Sequence, residues 1–454
     1  MSEEVDAVVV GLGPGGEEVA GRLLDAGLSV VGVEERLLGG ECPYYGCIPS
    51  KMMIRAANLL AEGRRIPGMA GDSTVRPDWA PVAHRIRAEA TDTWNDTVAV
   101  ERFTGRGGQF VRGHGRLAGV GRVDVDGRSF DARRAVVLNP GTSPAIPPIP
   151  GLAETPHWTN REAIEAEAVP PSLILLGGGA IGLELGQMFA RFGSRVTVVE
   201  AADRLLSVEE PESGHLIEEV LRSEGMDVRT GAKAASVRQE GDEVAVELDG
   251  GDAVRGAQLL VATGRRPNIG DLGLEQVGLD PRARTIPVDD HLRAGERLWA
   301  IGDVDGKGAF THISMYHAGI AVADILGHEG HPADYRGLSR VTFTDPEVGA
   351  AGLTEEQARA QGIRVRVGIS QVSASTRGWI HGPGNAGFHK LVEDADRGVL
   401  VGATTAGPVG GEVLSMLTLA IHARVPTDTL RGMIYAYPTF HRGILDALAD
   451  LAAS

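Results

Sequence analysis

Apolar and β-branched residues crowd the start of the chain. Val5–Val10 is a run of them, the pattern of a strand buried in a parallel sheet. Gly11-Leu12-Gly13-Pro14-Gly15-Gly16 breaks the run, a helical stretch continues through Ala26, and a second strand, Leu28–Val33, is closed by Glu34. Strand, turn, helix and strand in that order predict a βαβ unit. The order returns later. Leu173–Leu176 reads as a strand, Gly177-Gly178-Gly179-Ala180-Ile181-Gly182 as the turn, a helix runs to about Phe192, and Val196–Val199 is a strand closed by Glu200. Gly11 and Glu34 are 23 residues apart, and so are Gly177 and Glu200. One spacing occurring twice argues for one unit used twice.

Each turn has the chemistry of a dinucleotide site. Gly11, Gly13 and Gly16 permit a tight turn and close approach of a pyrophosphate, while Pro14 and Gly15 open the helix whose N-terminal N–H groups face the negative charge. Glu34 is placed to accept hydrogen bonds from a ribose hydroxyl. In the second unit Gly177, Gly179, Ala180, Ile181 and Gly182 form the turn and Glu200 takes the ribose. Ala201 and Ala202 follow Glu200, where the 2′-phosphate of NADP would want arginine and no carboxylate, so NADH is expected rather than NADPH. Two such sites in one chain suit an enzyme that moves hydride between two cofactors.

A chain of 454 residues exceeds a single core and implies about three domains. The formal charge of −17 speaks against nucleic acid or an anionic membrane as partner. No run of about 18 apolar residues occurs, so no transmembrane helix is expected. The acidic start, Met1-Ser2-Glu3-Glu4, lacks the basic pattern of a secretory leader, and a cytoplasmic protein is expected. The two cysteines, Cys42 and Cys47, share one segment. A structural disulfide would clip distant segments, and a zinc site would need further ligands that the neighbouring residues do not supply, so no metal is expected. The pair reads as a disulfide that opens and closes during turnover.

The segment around them is Gly39-Gly40-Glu41-Cys42-Pro43-Tyr44-Tyr45-Gly46-Cys47-Ile48-Pro49-Ser50-Lys51. It resembles the redox motif G-G-T-C-x-N-x-G-C-x-P-S-K of the class I pyridine nucleotide–disulfide oxidoreductases, which include dihydrolipoamide dehydrogenase, glutathione reductase and mercuric reductase. Ala262-Thr263-Gly264-Arg265-Arg266-Pro267-Asn268 resembles that family's link out of the nicotinamide domain, Trp299-Ala300-Ile301-Gly302-Asp303 its second FAD motif, and Phe343–Gly349 the opening of its dimerisation domain. The resemblance implies an α/β chain with two Rossmann-like dinucleotide-binding domains and a C-terminal α+β dimerisation domain, active as a homodimer. It places FAD in residues 1–153 and 285–337, NAD(P)H in 154–284, and dimerisation in 338–454. Asp303 would hold the ribityl chain, with Gly40, Glu41, Lys51, Gly115, Gly141, Thr142, Gly264 and Gly302 completing the cofactor sites. Cys47 would be the thiolate lying against the flavin and Cys42 the outer thiol that attacks substrate. A helix starting near Cys47, with Pro49 in its first turn, would depress a thiol pKa through its dipole. Lysine is scarce (Lys51, Lys233, Lys307 and Lys390), and by resemblance Lys51 pairs with Glu184 near the flavin.

Departures limit the activity. The family usually ends in H-P-T-x-x-E, whose His shuttles protons and whose Glu orients it. Here Tyr437 stands at the His position and Arg442 at the Glu position, with His441 beside them as a second candidate. A tyrosine hydroxyl ordinarily titrates near about pH 10 and serves poorly as an acid–base group at neutral pH. Glu41 replaces the motif's Thr, Pro43-Tyr44-Tyr45 its bridge, and Asn139-Pro140-Gly141-Thr142-Ser143 stands for the usual A-T-G-S. Leu448–Ser454 lacks the vicinal cysteines that mercuric reductase carries there. Three functions follow: an NADH-dependent reductase of a small disulfide, a reductase of a quinone or similar acceptor served by the flavin, and an FAD- and NAD-binding regulatory protein with little turnover. Retention of both cysteines, Lys51 and both turns speaks against the third.

Overall fold

The computed structural model describes residues 2–453, which divide into two compact units. The first comprises Met1–Pro49, His84–Ala145 and Arg265–Asp334. Its sheet runs in the order Arg293–Gly295, Leu298–Ala300, Arg128–Leu138, Glu3–Val10, Val30–Glu34, Gln109–Arg112. Apart from the hairpin at Arg293–Gly295, these neighbours pair in parallel. Period-2 alternation divides each strand between two layers. Val8, Val10, Val31, Val33, Val136 and Leu138 face one apolar core. Ala7, Val9, Val30, Ala135 and Val137 face the other, where Val19, Ala20 and Leu23 of helix Pro14–Asp25 meet Ala318, Ala321 and Val322 of helix Thr311–Leu326.

The first strand begins at Glu3, earlier than its apolar run suggests, because Glu3–Val5 pair with Phe130–Ala132 ahead of a register shift. The second begins at Val30, because Leu28 and Ser29 are spent on the turn. Leu28 N–H returns to the Leu23 carbonyl, and the N–H and hydroxyl of Ser29 both donate to Asp6 Oδ2.

Register explains where the site forms. Val10 lies opposite Val33 on one side and Leu138 on the other, and Leu138 opposite Ala300. The residues that follow, Gly11, Glu34, Asn139 and Ile301, therefore gather at the carboxyl edge of the sheet, where open α/β sheets bind ligands.

The second unit comprises Ser50–Ala83, Ile146–Gly264 and Tyr335–Ser454. Strands Asp227–Arg229, Arg195–Val199, Ser172–Leu176 and Gln258–Val261 form a parallel sheet in that order. Leu176 opposes Val199 and Val261, so Gly177, Glu200 and Ala262 repeat the edge geometry of the first unit. A separate antiparallel sheet runs Ser339–Thr342, Glu347–Gly352, Val399–Gly407, Phe388–Asp394, Val365–Gln371. Leu414, Leu417 and Ile421 of helix Gly410–His422 and Ile444, Leu448 and Leu451 of helix Ile444–Ala453 share an apolar core with its Leu391, Leu400 and Ala403. Among the described residues no helix is long and apolar enough to cross a membrane.

Candidate functional site: two dinucleotide turns and a thiol pair

Gly11 takes φ +91°, and a Cβ there would strike the Asn139 carbonyl oxygen. Only glycine lets the turn pass so close to the end of the neighbouring strand. Gly13 is the N-cap of helix Pro14–Asp25 and makes no side-chain cap, so the helix presents bare N–H groups, with Pro14 in its first turn and Gly15 and Gly16 buried behind it. Glu34 closes the turn from below: Oε2 accepts the Leu12 N–H at 2.9 Å and Oε1 the Arg36 N–H at 2.8 Å. Burial pushes its carboxyl above the ordinary carboxylate range. Each oxygen keeps a further lone pair, and the two bonds give Glu34 a duty that the sequence did not suggest, anchoring the turn. The Gly39 N–H donates to the Leu12 carbonyl and Gly40 N–H to Leu37, which ties the cysteine segment to the turn. Gly115 opens the strand Gly115–Gly119 and packs against Val10 and Val33.

A polar chain runs along the same edge. Asp303 Oδ2 accepts the Thr142 hydroxyl at 2.7 Å; the Thr142 oxygen accepts Arg265 Nε at 2.7 Å; and Arg265 Nη2 donates to the Thr142 carbonyl at 2.8 Å and pairs with Glu41 at 3.4 Å. Burial raises the Asp303 carboxyl. Gly141, at φ +66°, precedes Thr142, and the Gly302 N–H donates to His317 Nδ1 at 3.0 Å. Asn139, turned so that its amide oxygen accepts the Gly16 N–H at 3.0 Å, donates to the Ile301 carbonyl and the Ser314 hydroxyl and bridges the two glycine motifs. In the sequence Arg265 and Asn139 stand out only as parts of motifs. Their partners lie far away in the chain, and no local pattern announced them.

Cys42 sits in the short helix Glu41–Tyr45, and Cys47 opens the 19-residue helix Cys47–Arg65, the start that Pro49 predicts. Cys42 is pushed strongly upward, first because its proton is held against the Cys47 sulphur and second by burial. Thr311 Oγ1 stands 3.3 Å from Cys47 Sγ. Nothing in the sequence drew attention to Thr311.

In the second unit Gly177 takes φ +107° against the Ala262 carbonyl, and Gly179 caps helix Ala180–Arg191 without a side-chain bond. Gly182 is buried one turn in, Ile181 is exposed, and Gly264 takes φ +130°. Glu200 repeats Glu34. Its carboxylate accepts the Gly178 N–H on one oxygen and the Ala202 N–H on the other. Arg204, the nearby cation, is spent on the carbonyls of Ser207 and Glu209. Lys51 Nζ lies 2.8 Å from Glu184 Oε2 and 4.6 Å over the Phe343 ring, while Glu184 Oε1 accepts the Phe343 N–H at 2.8 Å. Tyr437 is exposed, and its hydroxyl donates to Thr376 Oγ1 at 3.3 Å. His441 packs against Tyr435 instead, with ring centroids 5.7 Å apart.

The bare helix N-termini behind both turns, the close-approach glycines and the paired carboxylates fit FAD on the first unit and a pyridine nucleotide on the second. Comparison with known proteins identifies the family. The family described as pyridine nucleotide-disulphide oxidoreductase matches residues 5–320, and its dimerisation domain residues 338–448. Mercuric reductase of Bacillus cereus is 31% identical over 97% of this chain and 70% of its own. Dihydrolipoyl dehydrogenase of Thermus scotoductus is 32% identical over 98% of this chain and 97% of its own. In structure the chain is similar to the HOCl-induced flavoprotein disulfide reductase RclA from Escherichia coli, with a TM-score of 0.86 and 26% identity over 98% of this chain and 99% of that one.

Proposed function

The chain belongs to the pyridine nucleotide-disulphide oxidoreductase family, as an FAD-dependent oxidoreductase, and from that premise we propose that it oxidises NADH and reduces a small disulfide through Cys42 and Cys47. One observation carries the reading: the Cys47 sulphur stands at the opening of a long helix and acts on the neighbouring Cys42 thiol, whose titration it pushes upward. Gly11–Gly16, Glu34, Thr142 and Asp303 are assigned to FAD, and Gly177–Gly182 with Glu200 to the nucleotide. Bound FAD supplies two-electron transfer between the nucleotide and the cysteine pair. Glu184 fixes the Lys51 ammonium, a compact charge assigned to the cofactor's service. Glu200 places a carboxylate where NADP would bring a phosphate, and the commitment of Arg204 to carbonyls leaves that phosphate without this cation.

Once reduced, the pair keeps one proton on Cys42 and its negative charge on Cys47, where the helix N-terminus favours it. As that proton moves to Cys47, the Cys42 sulphur attacks the substrate disulfide, forming a mixed disulfide and expelling one thiolate, which takes up a proton. The Cys47 thiol gives its proton to that departing thiolate, and the resulting Cys47 thiolate attacks Cys42, restores the internal disulfide and expels the second thiolate, which takes a proton from water. The domain division at 153, 284 and 337, a homodimer built through the dimerisation domain, and a cytoplasmic setting complete the proposal. In its support, Trp379, Leu419 and Ile434 leave apolar surface exposed on the segment that matches that domain.

The test is direct. The purified protein is expected to be yellow and to release FAD on denaturation. One equivalent of NADH without oxygen is expected to convert Cys42 and Cys47 to two alkylatable thiols, read by peptide mass. No new thiols would overturn the reading. A quinone acceptor is the second reading, favoured by Tyr437 and Arg442 standing where an acid–base pair is expected, since such an acceptor needs no thiol general acid.

A further inference from the structure

We infer that Thr311 is a further catalytic residue of the thiol pair, whose hydroxyl donates to whichever of the two sulphurs carries the negative charge. The inference rests on the thiol-pair reading above. Thr311 Oγ1 lies 3.3 Å from Cys47 Sγ, and the same hydroxyl opposes the upward shift of the Cys42 thiol. One hydroxyl thus touches Cys47 and acts on Cys42.

Its placement is built by the fold. Thr311 is the first residue of the 16-residue helix Thr311–Leu326, whose N-cap, Phe310, offers no side-chain cap, so the hydroxyl stands at the positive end of a helix dipole. The helix is held by Ala318, Ala321 and Val322 in the core, which fixes the hydroxyl relative to the cysteine segment.

The need for such a donor is specific to this chain. A disulfide exchange passes the charge from Cys47 to Cys42 and back, and the family's usual proton shuttle is replaced here by Tyr437, whose hydroxyl is spent on Thr376. A rotatable hydroxyl beside the thiol pair follows the charge without titrating. It accepts from a thiol and donates to a thiolate, and no proton is gained or lost by the enzyme. The charged or titratable neighbours on the surrounding segments are Glu41 and Tyr44 beside Cys42, Lys51 one turn into the Cys47 helix, and His312 next to Thr311.

The experiment uses holoenzyme reduced with dithiothreitol and desalted, so that it does not depend on NADH reaching the pair. Iodoacetamide alkylation of Cys42 and of Cys47 is followed by peptide mass across pH 5 to 10. In Thr311→Val, which keeps the branched shape, the pH midpoint of alkylation is expected to rise by about one unit, so that below it the first thiol alkylates roughly tenfold more slowly. Thr311→Ser, which keeps the hydroxyl, is expected to restore the wild-type profile. An unchanged profile in Thr311→Val overturns the inference, and so does a Thr311→Ser profile displaced as far as that of Thr311→Val. If Thr311→Val does not retain FAD, Thr311→Ala with Thr311→Ser gives the same comparison. Failure of NADH to generate thiols in the wild type would strike the proposed function alone and leave this comparison intact.

Discussion

The guanidinium of Arg442 lies over the ring of Tyr437, its central carbon 5.4 Å from the ring centroid. At these positions the family resemblance leads one to expect a carboxylate orienting an imidazole. The cation and aromatic ring attract each other instead, and the tyrosine hydroxyl turns to Thr376. The two departures are thus one change: Arg442 suits Tyr437 and would repel a protonated histidine in its place.

Restoring only the histidine should therefore do little. Tyr437→His alone leaves Arg442 beside the new imidazole and disfavours its protonated form. Tyr437→His together with Arg442→Glu is expected to raise kcat on dihydrolipoamide-type substrates by about 10²-fold or more, the usual reach of general acid–base help. Quinone reduction should not respond. Steady-state rates on both substrate classes, for the single and double variants, decide it.

Cofactor choice should follow Glu200. The wild type is expected to favour NADH over NADPH in kcat/KM by at least about tenfold, because a carboxylate beside the extra phosphate repels it. Glu200→Gln removes the charge but also one acceptor for the Gly178 and Ala202 N–H groups. It should weaken use of both nucleotides while narrowing the ratio between them, and the ratio is the measurement that matters. An unchanged ratio would show that Glu200 does not discriminate.

Asp305 predicts a pH effect on stability. Its side chain is fully buried, Oδ2 has no hydrogen-bond partner among the described residues, and burial pushes its pKa from 3.8 up to about 6. The folded protein therefore binds this proton more tightly than the unfolded chain does, and stability is lost as pH rises from about 4 through 6. Neighbouring His317 works in the opposite direction: burial lowers it to about 4, so stability is lost as pH falls from its ordinary 6.5 toward that value. Asp305→Asn keeps the acceptor for the Lys307 N–H and drops the charge. It should be more stable than wild type by about 1–3 kcal/mol at pH 8, the advantage shrinking as pH falls below 6. Urea unfolding at pH 8 and pH 5 tests both the sign and the trend. A variant less stable at pH 8 would mean the carboxylate is compensated by partners that the amide cannot serve.

What the sequence made legible is what short-range physics encodes. Gly11–Glu34 and Gly177–Glu200 announced themselves because turn glycines, apolar runs and a closing carboxylate lie within one supersecondary unit. The start of the helix at Cys47 was legible through Pro49, and the Lys51–Glu184 pair only through family resemblance, since its members are far apart in the chain. Thr311 was not legible at all: it meets Cys47 from a distant helix, and an isolated threonine in an apolar stretch has no pattern of its own. The same holds for Arg265, which reaches Glu41 and Thr142 across the fold. Tyr437 and Arg442 were visible as departures, but their stacking was not, because two side chains five residues apart outside a regular helix have no fixed relation until the backbone is known. The antiparallel order of the last sheet, in which Glu347–Gly352 pairs with Val399–Gly407, is likewise set by long-range pairing that alternation cannot specify.

The choice between disulfide and quinone rests on Cys42. If the acceptor is a disulfide, Cys42 must form the mixed disulfide, and Cys42→Ser should abolish turnover, because a serine hydroxyl at neutral pH does not replace a thiolate in exchange. If the acceptor is a quinone served by the flavin, the outer sulphur is a bystander and Cys42→Ser should retain much of the rate. The variant is a fair probe: Cys42 is half-buried in a short helix, and serine keeps nearly its size and a hydrogen-bond donor. Cys47→Ser supplies the control. It leaves the outer sulphur in place but removes its resolving partner, so a disulfide substrate should become trapped as a stable adduct on Cys42, visible as a mass increment on that peptide. Loss of disulfide turnover in Cys42→Ser together with the trapped adduct in Cys47→Ser would establish the disulfide route. Full activity on a candidate disulfide in Cys42→Ser would rule it out for that substrate and leave the flavin-served acceptor as the function.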